Sequence, residues 1–186
     1  MNIRLAALLT FLIFVPAGIV PAEDTPTKNN PSERKPIAQR DSAAKSEINW
    51  YKYDEGLAMA KKQSKKVFVE FTAKWCGYCK KMHATTFRDP EIIKMLNTYY
   101  VSVTVDGDSP DTLNIDGWMT TENGLTREYR VSAYPTYWFL TPEAERIAPV
   151  KGYRDKITLG YILDYLKDDL YKTVTFEDYM KEKQKR

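Results

Sequence analysis

A short β-rich run, Lys66-Val67-Phe68-Val69-Glu70-Phe71-Thr72, leads directly into Trp75-Cys76-Gly77-Tyr78-Cys79-Lys80, and this junction constrains the chain more than any other feature in it. The run is bounded by polar residues and reads as a buried strand, and Gly77 through Ala84 reads as a helix. The only two cysteines of the chain therefore sit where a strand feeds a helix, a context in which a C-x-x-C pair points to redox chemistry. A sulfur at the first turn of a helix faces backbone N–H groups without intrahelical partners and the positive end of the helix dipole. A free thiol near pKa 8.5 is only a few per cent ionised at neutral pH, whereas such settings lower it to roughly 3.5–7.5. Cys76 is the expected attacking sulfur. Cys79, one turn on and expected to be more buried, is placed to resolve a mixed disulfide.

Two blander readings compete. Half of a zinc site would need further ligands, and the chain offers no other cysteine and one histidine, His83, so neither a metal nor an organic cofactor is expected. A purely structural disulfide is common in exported proteins, but it normally ties distant segments, and closing so small a ring stabilises little.

The ends bear on location. Leu5 through Val20 are apolar apart from Thr10, follow Arg4, and lead into Val20-Pro21-Ala22 and the acids Glu23 and Asp24. At about 1.5 Å per residue this stretch reaches roughly 24 Å as a helix, short of a ~30 Å hydrocarbon core. Residues 1–22 are read as a signal peptide cut near Ala22, with a retained anchor as the alternative. Residues 23–46 carry almost no large apolar side chain and are read as a disordered linker. Residues 47–186 then form one domain of ordinary size. The chain's 28 basic against 25 acidic side chains give no argument for a nucleic-acid partner or an acidic membrane surface. The tail Lys181 to Arg186 is expected to be solvated and frayed.

Within the domain, Asp54 reads as the cap of a helix over 55–62, and Asp89-Pro90-Glu91 as the cap and first turn of another running to about Asn97. Val101 to Asp106 alternates as a strand. Gly107 to Asn123 is expected to be a loop with a short helical turn, and Leu125 to Tyr129 a helix. Thr136 to Leu140 and Arg146 to Val150 are strands joined by a turn, with Pro149 suited to an edge. Ile157, Leu159, Ile162, Leu163 and Leu166 recur at helical spacing and close the fold. Early strand–helix alternation followed by a late hairpin implies an α/β fold: a mixed central sheet of about four to five strands with helices on both faces.

The stretch Val67 to Lys80 resembles the active-site strand and helix of the thioredoxin family. Tyr134-Pro135-Thr136 resembles the family's cis-proline loop, and Lys151-Gly152 its late glycine. Thr85 to Glu91 is most similar to an exported branch that includes the C-terminal domain of the periplasmic electron-transfer reductases. The resemblance covers most of residues 47–171 and implies a thioredoxin fold. By it, Pro135 would be cis and lie against the cysteines, and the backbone of Tyr134 would pair an extended substrate. Trp75, Gly77, Tyr78 and Thr136 complete the implied substrate-binding set. Trp75 reads equally as core.

Glu70 falls where thioredoxins carry a buried acid. A carboxylate in an apolar strand is costly to ionise, so it could exchange a proton with Cys79. The competing placement is a solvated strand end. His83, one turn after Cys79, reads as an ordinary surface residue. Lys74, Lys80 and Lys81 add positive charge near the thiolate. The chain departs from the family at Ser102, where a lysine often stands near the acid, and in the length of 107–123, where Trp118 and Met119 could form either a partner-binding lip or a small packed cluster.

The resulting expectation is a monomeric, periplasmic or secreted protein-disulfide reductase. It would act on protein disulfides and be kept reduced by a membrane-bound thiol donor. An oxidase or isomerase on the same scaffold, and a non-enzymatic partner-binding module, are the alternatives.

Overall fold

A computed structural model describes residues 47–185. The expectations for the leader and its cleavage near Ala22, and for the linker 23–46, fall outside the described residues.

Strand β1 (Trp50–Tyr51) leads into helix α1 (Tyr53–Gln63), strand β2 (Lys66–Thr72), helix α2 (Gly77–Ala84), a 3-10 turn (Thr86–Arg88) and helix α3 (Pro90–Tyr99). Strand β3 (Tyr100–Asp106) follows, then a small hairpin of β4 (Thr112–Ile115) and β5 (Trp118–Thr121), and helix α4 (Glu122–Glu128). Strands β6 (Thr136–Leu140) and β7 (Arg146–Lys151) and helices α5 (Lys156–Lys167) and α6 (Phe176–Lys183) complete the described chain. The five-stranded sheet has the order β1-β3-β2-β6-β7. β2 runs parallel to β3 and antiparallel to β6, so the sheet is mixed.

β2 is central because it can be covered on both sides: Val67 through Phe71 are all buried. Phe68 packs with Met82, Ile92, Leu96 and Leu163 from α2, α3 and α5, while Val67, Val69 and Phe71 pack with Ala60 of α1 and Leu125 of α4. Side chains alternate across a strand, so β2 feeds two cores at once. Asp89 caps α3 as expected, accepting from the N–H groups of Glu91 and Ile92 with Pro90 in the first turn.

Several local readings are corrected. Helix α1 starts one residue ahead of Asp54, and Lys52 precedes it without a side-chain cap. Asp54 instead accepts the backbone N–H groups of Glu55 and Asn114, because Tyr53 is drawn into the helix by burial and by its hydroxyl contact with Tyr129. The segment 107–123 holds a hairpin. Asp116 and Gly117 both take positive φ, 50° and 90°, the pairing that lets a two-residue turn match the twist of its strands. Helix α4 begins at Glu122 because Thr121 caps Gly124. Ile157 is exposed rather than core, since Asp155 caps Thr158 and the buried stripe opens only at Leu159. The C-terminal tail is helical to Lys183, held by Tyr179, which is buried against Tyr165 and Phe176.

Candidate functional site

The strand-to-helix junction fixes both sulfurs. Cys76 is the N-cap of α2 with an extended backbone, and its Sγ accepts the N–H of Cys79 at 3.0 Å. The sulfur therefore occupies the position where a helix leaves its first donors unpaired. Cys76 and Cys79 form a disulfide with Cα atoms 5.3 Å apart. The two residues are buried almost equally, 4% and 2% exposed, so attacker and resolver are distinguished by the cap position of Cys76 rather than by exposure.

Aromatic side chains frame the pair. Trp75 and Tyr78 are 69% and 64% exposed, so Trp75 is a surface ring and not core. Its indole N–H donates to Asp108 Oδ2 at 2.5 Å, and its ring meets Tyr134 edge-on with centroids 5.6 Å apart. Tyr134 in turn packs against Ala73, Cys76 and Cys79. The Tyr134–Pro135 peptide bond is cis. Pro135 is anchored through its carbonyl, which accepts the N–H of Gly152 at 2.7 Å. Thr136 is buried, and its hydroxyl donates to the Ala133 carbonyl, so its side chain serves the loop and is closed to a substrate. Gly77 is exposed, with no atom within 4 Å of where a Cβ would stand.

Gly107 was not singled out in the sequence, yet the fold needs it. A Cβ there would fall 1.7 Å from the Tyr134 hydroxyl. Gly107→Ala is expected to displace Tyr134 from the sulfurs and cost about 1–3 kcal/mol, the usual size of an overpacking strain. Urea unfolding of the oxidised protein measures it. Asp108, which orients Trp75, was likewise not foreseen.

Glu70 is fully buried on the Phe68 face of β2. Its Oε2 lies 2.8 Å from Nε2 of His83. His83 is thus not an ordinary surface residue: it is half-exposed, paired, and packed against the rings of Trp50 and Phe87. Burial pushes the Glu70 carboxyl above its ordinary range, with the bond to His83 opposing only part of the rise. That same bond raises His83 above its ordinary value, against the effect of its partial burial. The helical spacing of Cys79 and His83 was visible in the sequence; the pairing across thirteen residues to Glu70 was not.

Of the three lysines, Lys74 lies 3.9 Å from Asp106 and Lys81 sits over the Tyr153 ring. Lys80 is exposed. Ser102 is buried on β3, its hydroxyl without a partner among the described residues. Trp118 and Met119 are exposed on β5 rather than forming a packed cluster.

Comparison with known proteins gives the same architecture. Residues 53–167 match the thioredoxin-like domain family. A protein disulfide-isomerase of Hordeum vulgare is 30% identical over 106 residues, covering 57% of this chain and 17% of that protein. A thioredoxin domain-containing protein 5 homolog of Drosophila melanogaster is 30% identical over 104 residues, 56% of this chain and 21% of its own length. The chain therefore corresponds to a small part of these relatives. Among solved structures, a thioredoxin from Thermus thermophilus superposes with a TM-score of 0.55 at 29% identity, covering 64% of this chain and 87% of that one. A thioredoxin-fold protein from Helicobacter pylori reaches 0.60 at 13% identity, over 77% and 96% of the two chains, a likeness of fold alone. With its cysteines bonded at the start of α2 and a family match running from α1 through α5, the chain belongs to the thioredoxin-like domain family.

Proposed function

We propose that this chain is a thiol-disulfide oxidoreductase that reduces protein disulfides outside the cytoplasm. The observation that carries the reading is the position of the Cys76 sulfur, which caps α2 and accepts a backbone N–H within a ring that Cys79 closes. Such a site favours the thiolate, the form that attacks. In the reduced protein, Cys76 attacks one sulfur of a substrate disulfide, the other leaves as a thiolate that takes up a proton, and a mixed disulfide forms. Cys79 then loses its proton to Glu70 and attacks the Cys76 sulfur. The second substrate thiol is released, and the protein's two electrons have passed to the substrate.

Trp75, Tyr78 and the open face at Gly77 provide contact area beside the sulfurs, and the Tyr134–Pro135 backbone offers an edge for an extended segment. The apolar leader favours a periplasmic or secreted setting, where a membrane-bound thiol donor would restore the dithiol. The protein is proposed to act as a monomer without metal or organic cofactor. Cys79→Ala is expected to accumulate mixed disulfides on Cys76 that dissolve on adding reductant, seen on non-reducing gels and identified by mass spectrometry. A variant that captures no disulfide partner would sink the reading.

The disulfide-isomerase relatives favour a second reading, an isomerase or oxidase on the same scaffold. The reduction potential separates the two. A value near −270 mV marks a reductase, and one near −180 to −120 mV an isomerase or oxidant.

A further inference from the structure

Among the described residues, Glu70 Oε1 has no hydrogen-bond partner, and Oε2 is held by His83 alone. Its ladder neighbours are Thr104 on β3 and Tyr137 on β6. The Tyr137 hydroxyl is buried without a partner of its own among the described residues, and neither ladder neighbour is a cation. His83 differs from every other neighbour because its side chain is 45% exposed: one ring nitrogen meets the carboxylate while the ring reaches solvent. It stands four residues after Cys79, which puts the two side chains on one face of α2, one above the other. The rings of Trp50 and Phe87 hold it there, with centroids 5.6 and 5.1 Å away.

We propose that His83 is the solvent-side proton relay of the exchange site, carrying to bulk water the proton that Glu70 takes from Cys79. The proposal rests on reading Cys76 and Cys79 as an exchange pair. When Cys79 attacks, its S–H bond breaks, a sulfur–sulfur bond to Cys76 forms, and the substrate sulfur departs with the bonding pair of the mixed disulfide. The proton passes to the Glu70 carboxylate, then across the 2.8 Å contact to Nε2, and the imidazolium gives up a proton from Nδ1 to water. Without that exit, the protonated acid is sealed in an apolar core and cannot accept the proton of the next cycle.

The opposed effects of burial and pairing suit this role, since both groups hold their proton more tightly than they would in solution. The other ionisable groups facing the pair are few. Arg88, from the 3-10 turn, opposes the imidazolium. Tyr137 lies beside the acid, with Arg154 and Tyr153 acting on it.

His83 is the chain's single histidine, so its ring resonances report alone in the full protein. The test is an NMR titration of His83 from pH 5 to 9 in the oxidised and dithiothreitol-reduced protein. It is paired with the pH profile of oxidation of the reduced protein by hydroxyethyl disulfide, for wild type, His83→Gln and His83→Ala. The expected result is a His83 midpoint that moves when Cys79 becomes a thiol. With His83→Gln, closure of the mixed disulfide should slow about 10²-fold near pH 7, the lower end of what a positioned proton carrier supplies. Added imidazole should restore the rate of His83→Ala. A midpoint indifferent to redox state, with variant profiles matching wild type, overturns the relay while leaving the exchange reading intact. A wild-type protein that does not react with the small disulfide at any pH overturns both. The redox-dependent midpoint needs no substitution, so a variant that failed to fold would not shelter the proposal.

Discussion

Cys76→Ser is expected to abolish disulfide exchange, leaving only the background rate of the assay, while the fold survives. Serine keeps the size and the acceptor at the head of α2, so the Cys79 N–H retains a partner and the helix keeps its cap. What disappears is the redox couple itself, because a hydroxyl cannot form the bond to Cys79. The loss of the Cys76–Cys79 ring should be cheap in stability, since its closure constrains only a sequence separation of 3. Insulin reduction by the purified protein, read beside circular dichroism and urea unfolding, makes the check. Residual activity of even a tenth of wild type would place the chemistry elsewhere. A chain that unfolds would show the disulfide to be a structural staple.

The second large effect is a dependence of stability on pH that originates at Glu70. Burial lifts its folded pKa above the ordinary 4.5, and the contact with Glu70 lifts that of His83 above 6.5. Both shifts are upward, so the folded pair binds more protons than the unfolded chain wherever pH lies between unfolded and folded values, and stability must fall as pH rises. The contribution is complete below pH 4.5 for Glu70 and below 6.5 for His83, and it is lost as pH climbs through the raised values. Above both raised values the core holds a carboxylate whose partner has lost its charge. Glu70→Gln removes that burden, and the variant is expected to gain about 1–3 kcal/mol over wild type there, the order of the desolvation penalty of a buried polar group left short of hydrogen-bond partners. Half-exposure of His83 lets solvent screen part of the effect and favours the lower half of that range. Near pH 5 the advantage should shrink toward zero. Urea midpoints of the oxidised protein across this range measure it cleanly, because bonded cysteines do not titrate. A flat wild-type curve, or a variant less stable at pH 9 than at pH 5, would refute the account.

What could be read in advance depended on how local its cause was. The strand Lys66–Thr72, the cap at Cys76, the helix at Gly77–Ala84 and the Asp89-Pro90 start of α3 each follow from a few consecutive residues, and they stand where the sequence puts them. The β4–β5 hairpin also has a local cause, the Asp116-Gly117 pair. It was masked by polar surroundings in which Leu113 alone is buried among the strand residues. Asp54 was misplaced because a distant residue, Asn114, competes for its side chain. The same holds at the site. Its sulfurs lie three residues apart and were legible, whereas Asp108 under Trp75, Gly107 under Tyr134 and His83 against Glu70 are joined only by tertiary folding. Spacing can nominate a residue for a helix face, but it cannot name what waits opposite.

The proline in β7 has a further consequence. This strand forms one margin of the sheet, and a visiting chain seeking to extend the ladder would find no donor at Pro149 and would meet Arg146 and Lys151 at the strand's two ends. An edge without such features is a template on which other chains can aggregate. A border that refuses main-chain docking protects the sheet from being extended by another chain.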